Sequence, residues 1–300
     1  MEFPRFLIGV SALCAFAGTG VAQPITVRDG AGLAVTVRAP VRRVASLVSS
    51  SIDIMIVLGA ADRIVARTRY DTSSVVARAA DVGGGIDPSV EVLLASRPDL
   101  FVAWKGQATA PVVNRMRAVG VPIYLVETKD TAALFATVRD LGALLGVSHR
   151  ATEAAAQLRA ELRAVQASQR STPRLNAVYI ISRSPVIIAS KTSFMGQLVS
   201  VAGGDSPFGD IQGEFPTLSL EAFVARDPDV LIVGRRENGG RQIDVLRDTP
   251  GWRDLRAVRT GAVVEVDGEQ WGRPTLHVGA LVRDLAAQLQ RVSQRVRRAD

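Results

Sequence analysis

One stretch of this chain occurs twice. Ser89-Val90-Glu91-Val92-Leu93-Leu94-Ala95-Ser96-Arg97-Pro98-Asp99-Leu100-Phe101-Val102-Ala103-Trp104 aligns without a gap on Ser219-Leu220-Glu221-Ala222-Phe223-Val224-Ala225-Arg226-Asp227-Pro228-Asp229-Val230-Leu231-Ile232-Val233-Gly234, at an offset of 130 residues (219 − 89). In each copy a serine caps a short helix, Pro-Asp ends it, and a wholly apolar run follows as a buried strand. Helix–turn–strand units of this kind belong to parallel sheets covered on both faces. Two copies at domain spacing predict two similar α/β lobes, not a solenoid of short repeats.

Other segments fit the same plan. Arg43–Val48, Arg63–Ala66, Val121–Val126, Leu175–Ile181 and Gly261–Val266 read as strands; Ile52–Leu58 and Phe194–Ala202 read as helices stopped by glycine. Ser49-Ser50-Ser51 is expected to cap the first of these helices, and Gly83-Gly84-Gly85 reads as a turn. From Ser148 to Gln169, Ala151, Ala155, Leu158, Leu162 and Val165 recur at helical spacing. At ~1.5 Å per residue that is a rod of about 30 Å, enough to brace two domains and restrict their relative motion. The expected fold is therefore α/β, two Rossmann-like lobes with parallel central sheets joined by a long α-helix. The expected boundaries are residues 23–146 for the first lobe, 147–170 for the interlobe helix and 171–300 for the second lobe.

Residues 1–22 read as a secretory signal peptide. Arg5 precedes the apolar run Phe6–Ala17, too short to span a bilayer, and Gly20-Val21-Ala22 supplies the small residues of a cleavage site. Cys14, the one cysteine, lies inside that run, so the exported chain is expected to have no disulfide, thiolate metal site or thiol nucleophile. The formal charge of +7 raises nucleic acid as a partner. The basic residues are spread along an exported chain, however, and the densest group, Arg291, Arg295, Arg297 and Arg298, reads as a solvated helix end.

The two histidines, His149 and His277, have no evident partner for triad or metal work. No catalytic set, resident metal or cofactor is expected. Open α/β sheets instead hold ligands at the carboxyl ends of their strands. There the sequence places Arg69 and Tyr70, Trp104 and Lys105, Arg183, and Trp271 and Arg273. Such a set can stack a flat ligand on aromatic rings and neutralise its acidic groups with guanidinium forks.

Ile25-Thr26-Val27-Arg28-Asp29-Gly30, Arg43-Val44-Ala45-Ser46-Leu47, Leu58-Gly59-Ala60-Ala61-Asp62-Arg63-Ile64-Val65, Leu198–Asp205, Pro250–Leu255 and both repeat copies carry a family resemblance in their order and spacing. From Ile25 to about Gln288 the chain resembles the cobalamin and iron–siderophore periplasmic binding proteins of ABC importers, the class with a rigid interlobe helix. The resemblance implies a monomer in the periplasm that passes a metal chelate to an inner-membrane permease dimer. It also implies that Glu91 and Glu221 dock on permease arginines. Trp104 is similar to a tryptophan of the cobalamin pocket, Phe215 falls at another aromatic position of that subgroup, and Gly85 departs from a tryptophan there. The cations Arg69, Lys105, Arg183 and Arg273 suit an iron chelate, a ferric siderophore or haem, which is expected ahead of cobalamin. A free zinc or manganese ion is disfavoured for want of converging ligands. An exported α/β enzyme and an adhesion module remain as other classes.

Overall fold

The computed structural model describes residues 24–235 and 239–299. The expected leader, residues 1–22 with Cys14, lies outside the described residues, as do the side chains of Arg295, Arg297 and Arg298. The first half runs β1 (Pro24–Arg28), β2 (Ala34–Arg38), β3 (Val44–Ser46), α1 (Ser49–Val57), β4 (Ile64–Arg67), β5 (Ala80–Asp81), α2 (Val90–Ala95), β6 (Leu100–Trp104), α3 (Pro111–Ala118), β7 (Ile123–Val126) and α4 (Thr131–Leu144). Helix α5 (Ser148–Ser168) follows. The second half runs β8 (Leu175–Arg183), β9 (Val186–Ile188), α6 (Phe194–Val201), β10 (Gly204–Asp205), β11 (Thr217–Leu218), α7 (Leu220–Val224), β12 (Val230–Gly234), α8 (Gln242–Asp248), α9 (Arg256–Arg259), β13 (Val263–Val266), α10 (Gly268–Trp271) and α11 (Val278–Ala299).

The repeat has a three-dimensional counterpart. Ser89 Oγ accepts from Val92 N and Ser219 Oγ from Ala222 N, each capping its helix. Ahead of each Pro-Asp the backbone turns left-handed, with φ +44° at Arg97 and +33° at Asp227; these are the two positive-φ non-glycine residues among those described. The aspartate after the proline then binds the start of the neighbouring strand. Asp99 accepts from Arg43 N at 2.8 Å and Asp229 from Asn176 N at 2.9 Å. A sequence signature of helix end and strand start is thus also the clip that sets β6 beside β3 and β12 beside β8.

In the first lobe five parallel strands lie in the order β5-β4-β3-β6-β7. Successive residues of β6 bury on opposite faces: Leu100 and Val102 join one apolar cluster, Phe101 and Ala103 another. Two-sided burial is why this strand reads as a continuous apolar run without alternation. In the second lobe β10, β8, β12 and β13 pair in parallel, and β9 and β11 extend the sheet antiparallel from β8. That extension was not anticipated, because strands of two and three residues are too short to show a period. Nor do Ser49–Ser51 cap α1: Val48 is the N-cap without a side-chain bond, and the serines form the first turn.

Helix α5 packs on α4 of the first half and on α6 and α11 of the second. Ala151, Ala155, Leu158 and Val165 are its buried face. Gly142 of α4 sits so close to Ala151 that a side chain there would collide with the Ala151 methyl, so glycine sets the close approach of α4 and α5. One apolar cluster includes residues of both lobes together with this face of α5.

Candidate functional site

Parallel pairing turns the carboxyl ends of β3 to β7 in the first sheet, and of β8, β12 and β13 in the second, to one edge each, and residues of the two halves meet near those edges. Arg273, after α10, lies 3.8 Å from Asp53 of α1 and also pairs with Glu269. Gln197 of α6 accepts from Thr131 N at 3.0 Å and from Thr131 Oγ1 at 2.6 Å, closing the first turn of α4. Glu214 of the second lobe lies near enough to Glu127, which follows β7, for the two carboxylates to repel. Burial raises the Glu214 carboxyl above its usual 4.5, with Glu127 and Asp130 adding to the rise and Lys129 opposing it. Side chains beside the two carboxyl-end edges therefore come together where the halves meet.

Trp104 closes β6 with its ring over Gly106, where any side chain would collide with the indole, and keeps 50 % of its surface exposed. Its backbone N–H donates to Gln107 Oε1, while Gln107 Nε2 donates to Gly85 O at 2.5 Å, tying the strand exit to the glycine turn. Next to it Lys105 Nζ lies 2.6 Å from Glu127 Oε2, and the hydrogen bond and charge of that carboxylate raise the lysine above its usual 10.5. Phe215, beside Glu214, is 44 % exposed. Two exposed aromatics thus border the place where Glu127 and Glu214 approach. Exposed Tyr70 and Arg69 sit on a turn held by buried Asp71, which accepts from Thr68 N and Oγ1; Arg69 N donates to Gly83 O. Arg183 ends β8 and lines a cavity with Gly234 and Gln242. Arg69 and Arg183 form no salt bridge among the described residues.

One expectation needs correction. Trp271 is only 2 % exposed, its ring 6.0 Å from Tyr179, so it belongs to the core. Asp267 caps α10 at its start, and Trp271, the last residue of that helix, packs inward beside Tyr179. Arg273 lies where the two halves meet and pairs with Asp53 of the first half and with Glu269. Glu91 and Glu221 are both exposed, in the first turns of α2 and α7. Hydrogen bonds from its own backbone N–H and from Ser219 hold the Glu221 carboxyl below its usual 4.5. His149 is exposed on α5, 3.2 Å from Glu153.

Sequence reasoning missed Asp53, Glu127, Glu214 and Gln242. The rule that selected Lys105 would have reached Glu127, the first residue past β7. Glu214 and Gln242 follow loops and carry no periodic signal.

Comparison with known proteins completes the picture. The profile of the family described as periplasmic binding protein matches residues 44–269. The vitamin B12-binding protein of Vibrio parahaemolyticus serotype O3:K6 is 24 % identical over 241 residues, covering 79 % of this chain and 85 % of that protein. Among solved structures, the periplasmic haem-binding protein RhuT from Roseiflexus sp. RS-1 superposes with a TM-score of 0.73 at 24 % identity, covering 84 % of this chain and 99 % of that one. The ABC-type Fe3+-hydroxamate transport system structure from Saccharomonospora viridis DSM 43017 gives 0.72 at 21 % identity, over 89 % and 99 %. With its profile matched over most of its length and its two-lobe architecture shared with these structures, the chain belongs to the periplasmic binding protein family.

Proposed function

We propose that this chain, as the substrate-binding component of an ABC importer, captures a metal chelate with a flat or bulky organic shell between its lobes and hands it to a permease. The observation that carries the reading is the pair of exposed aromatics, Trp104 and Phe215, one from each lobe, at the cleft where Glu127 and Glu214 meet. Large apolar rings left in water at a concave site are the usual mark of ligand stacking. Relatives named for vitamin B12, haem and Fe3+-hydroxamate support the same class.

Charge does not separate these chelates as the sequence suggested. Lys105 is matched by Glu127, and Arg273 by Asp53 and Glu269, so two of the four expected cations are already neutralised. The ligand set becomes Arg69, Tyr70, Trp104, Arg183 and Phe215, with Lys105 held beside it. In this reading the chain is a monomeric carrier rather than an enzyme, with lobes 23–146 and 171–300 about a helix at 147–170. A leader cleaved after Ala22 exports it, in keeping with a family found in periplasmic or extracellular locations. Glu91 and Glu221 meet the permease dimer.

Fluorescence titration of the parent and Trp104→Ala with haemin, a ferric hydroxamate and cyanocobalamin tests this. The parent is expected to bind at least one, and the variant to bind it about 10- to 100-fold more weakly. Equal affinity would move the site away from Trp104.

A further inference from the structure

Arg183 Nη1 and Gln242 Oε1 are buried and make no hydrogen bond. Unpartnered buried polar atoms are rare in folded proteins and call for a physical explanation. These two belong to residues lining one cavity of about 310 Å³, between the carboxyl ends of β8 and β12, with Ile180, Ser182, Val233 and Gly234. The orientation of the glutamine is set by its neighbours. Its Nε2 donates to Gly234 O at 2.6 Å, an atom that can only accept, so its oxygen must be the end left over. Its backbone N–H is held by Glu265 Oε1, also at 2.6 Å, which fixes the residue at the start of α8. The subsite therefore offers one cationic donor and one neutral acceptor, each without a partner.

We infer that Arg183 and Gln242 form a subsite that reads a neutral carboxamide on the bound chelate and discriminates against a carboxylate at the same place. This rests on the capture of a metal chelate proposed above. A carboxamide oxygen accepts from Arg183 while its N–H donates to Gln242 Oε1, so both groups are satisfied by one ligand group. A carboxylate can accept from Arg183 but sets lone pairs against the glutamine oxygen and leaves that acceptor unpaired. Sites that hydrogen-bond a polar group reject analogues that cannot reproduce the bond far more strongly than apolar pockets reject a change of size. Among metal chelates, the chemistry that matches is a corrinoid, whose rim carries primary amides. A haem presents carboxylates, and a ferric hydroxamate commits its hydroxamate oxygens to the metal.

The probes are cyanocobalamin, its monocarboxylic acids in which one rim amide is hydrolysed, and haemin. The parent is expected to bind cyanocobalamin and to lose about tenfold or more with at least one of the monoacids. Gln242→Leu is expected to bind cyanocobalamin about tenfold more weakly and to lose that discrimination. Arg183→Ala is expected to weaken amide and acid forms alike. Gln242→Glu keeps the size of the side chain but supplies a carboxylate for Arg183, and is also expected to bind cyanocobalamin about tenfold more weakly; it decides the question if the leucine variant fails to fold. Parent-like cyanocobalamin affinity in Arg183→Ala and in the folded Gln242 variants would overturn the subsite. Binding of haemin but not cyanocobalamin would overturn the carboxamide assignment while leaving chelate capture intact. Binding of no chelate by the parent would remove both.

Discussion

Trp104 ends β6 and Trp271 ends the short helix after β13, and both read as ligand aromatics, yet the fold puts one half in water and the other in the core. Their replacement by alanine separates the roles. Trp271→Ala should lower stability by about 3–5 kcal/mol in denaturant unfolding, as buried tryptophans do. Trp104→Ala should leave the unfolding midpoint of the ligand-free protein nearly unchanged, and the reverse order would exchange the two assignments. Asp53 offers a test by pH. Burial raises its carboxyl above the usual 3.8, Asp71 and Glu269 push in the same direction, and Arg273 and His277 oppose them. A folded-state value above the unfolded one means that the native protein holds this proton more tightly. The contribution is therefore complete below pH 3.8 and is lost as pH rises through the raised value. Thermal melts over that window should show a shallower fall with pH in Asp53→Asn than in the parent. Identical slopes would mean that Asp53 does not titrate differently on folding.

The repeated helices α2 and α7 carry their function, on this account, in Glu91 and Glu221. Each glutamate also sits well for its helix, since a carboxylate in the first turn favours the dipole. Equivalent positions in two similar lobes suit a two-fold permease partner. Replacing both with alanine should abolish uptake and docking while chelate affinity stays at the parent value; normal transport would reduce them to helix-stabilising charges. This layer was also the most legible. Ser89, Ser219 and the two Pro-Asp pairs mark caps, turns and strand starts through local chemistry, and the apolar runs of β6 and β12 declare two-sided burial. What stayed hidden depends on tertiary pairing. The β9 and β11 strands have too few residues for a period, and nothing in the sequence neighbourhood of Arg273 announces Asp53, 220 positions earlier, as its partner (273 − 53). The cations were visible, but not the carboxylates that neutralise Lys105 and Arg273.

The two lobes share an apolar cluster through α5, which packs on α4 from one side of the chain and on α6 and α11 from the other. Such packing is expected to limit the relative motion of the lobes, as the proposed capture of a bulky chelate would use. Polar links between the halves, Asp53 with Arg273 and Thr131 with Gln197, add to this contact. A preformed cleft of this kind should gain stability on binding without a large change of shape. The most direct test is a thermal unfolding series of the protein freed of endogenous ligand, with cyanocobalamin, haemin and a ferric hydroxamate each added in turn. At a hundred times its dissociation constant, the correct chelate should stabilise the fold by about 2.7 kcal/mol, with one molecule bound per chain. No stabilisation by any of the three, together with no bound chromophore in protein from cobalamin- and iron-replete cells, would contradict chelate capture.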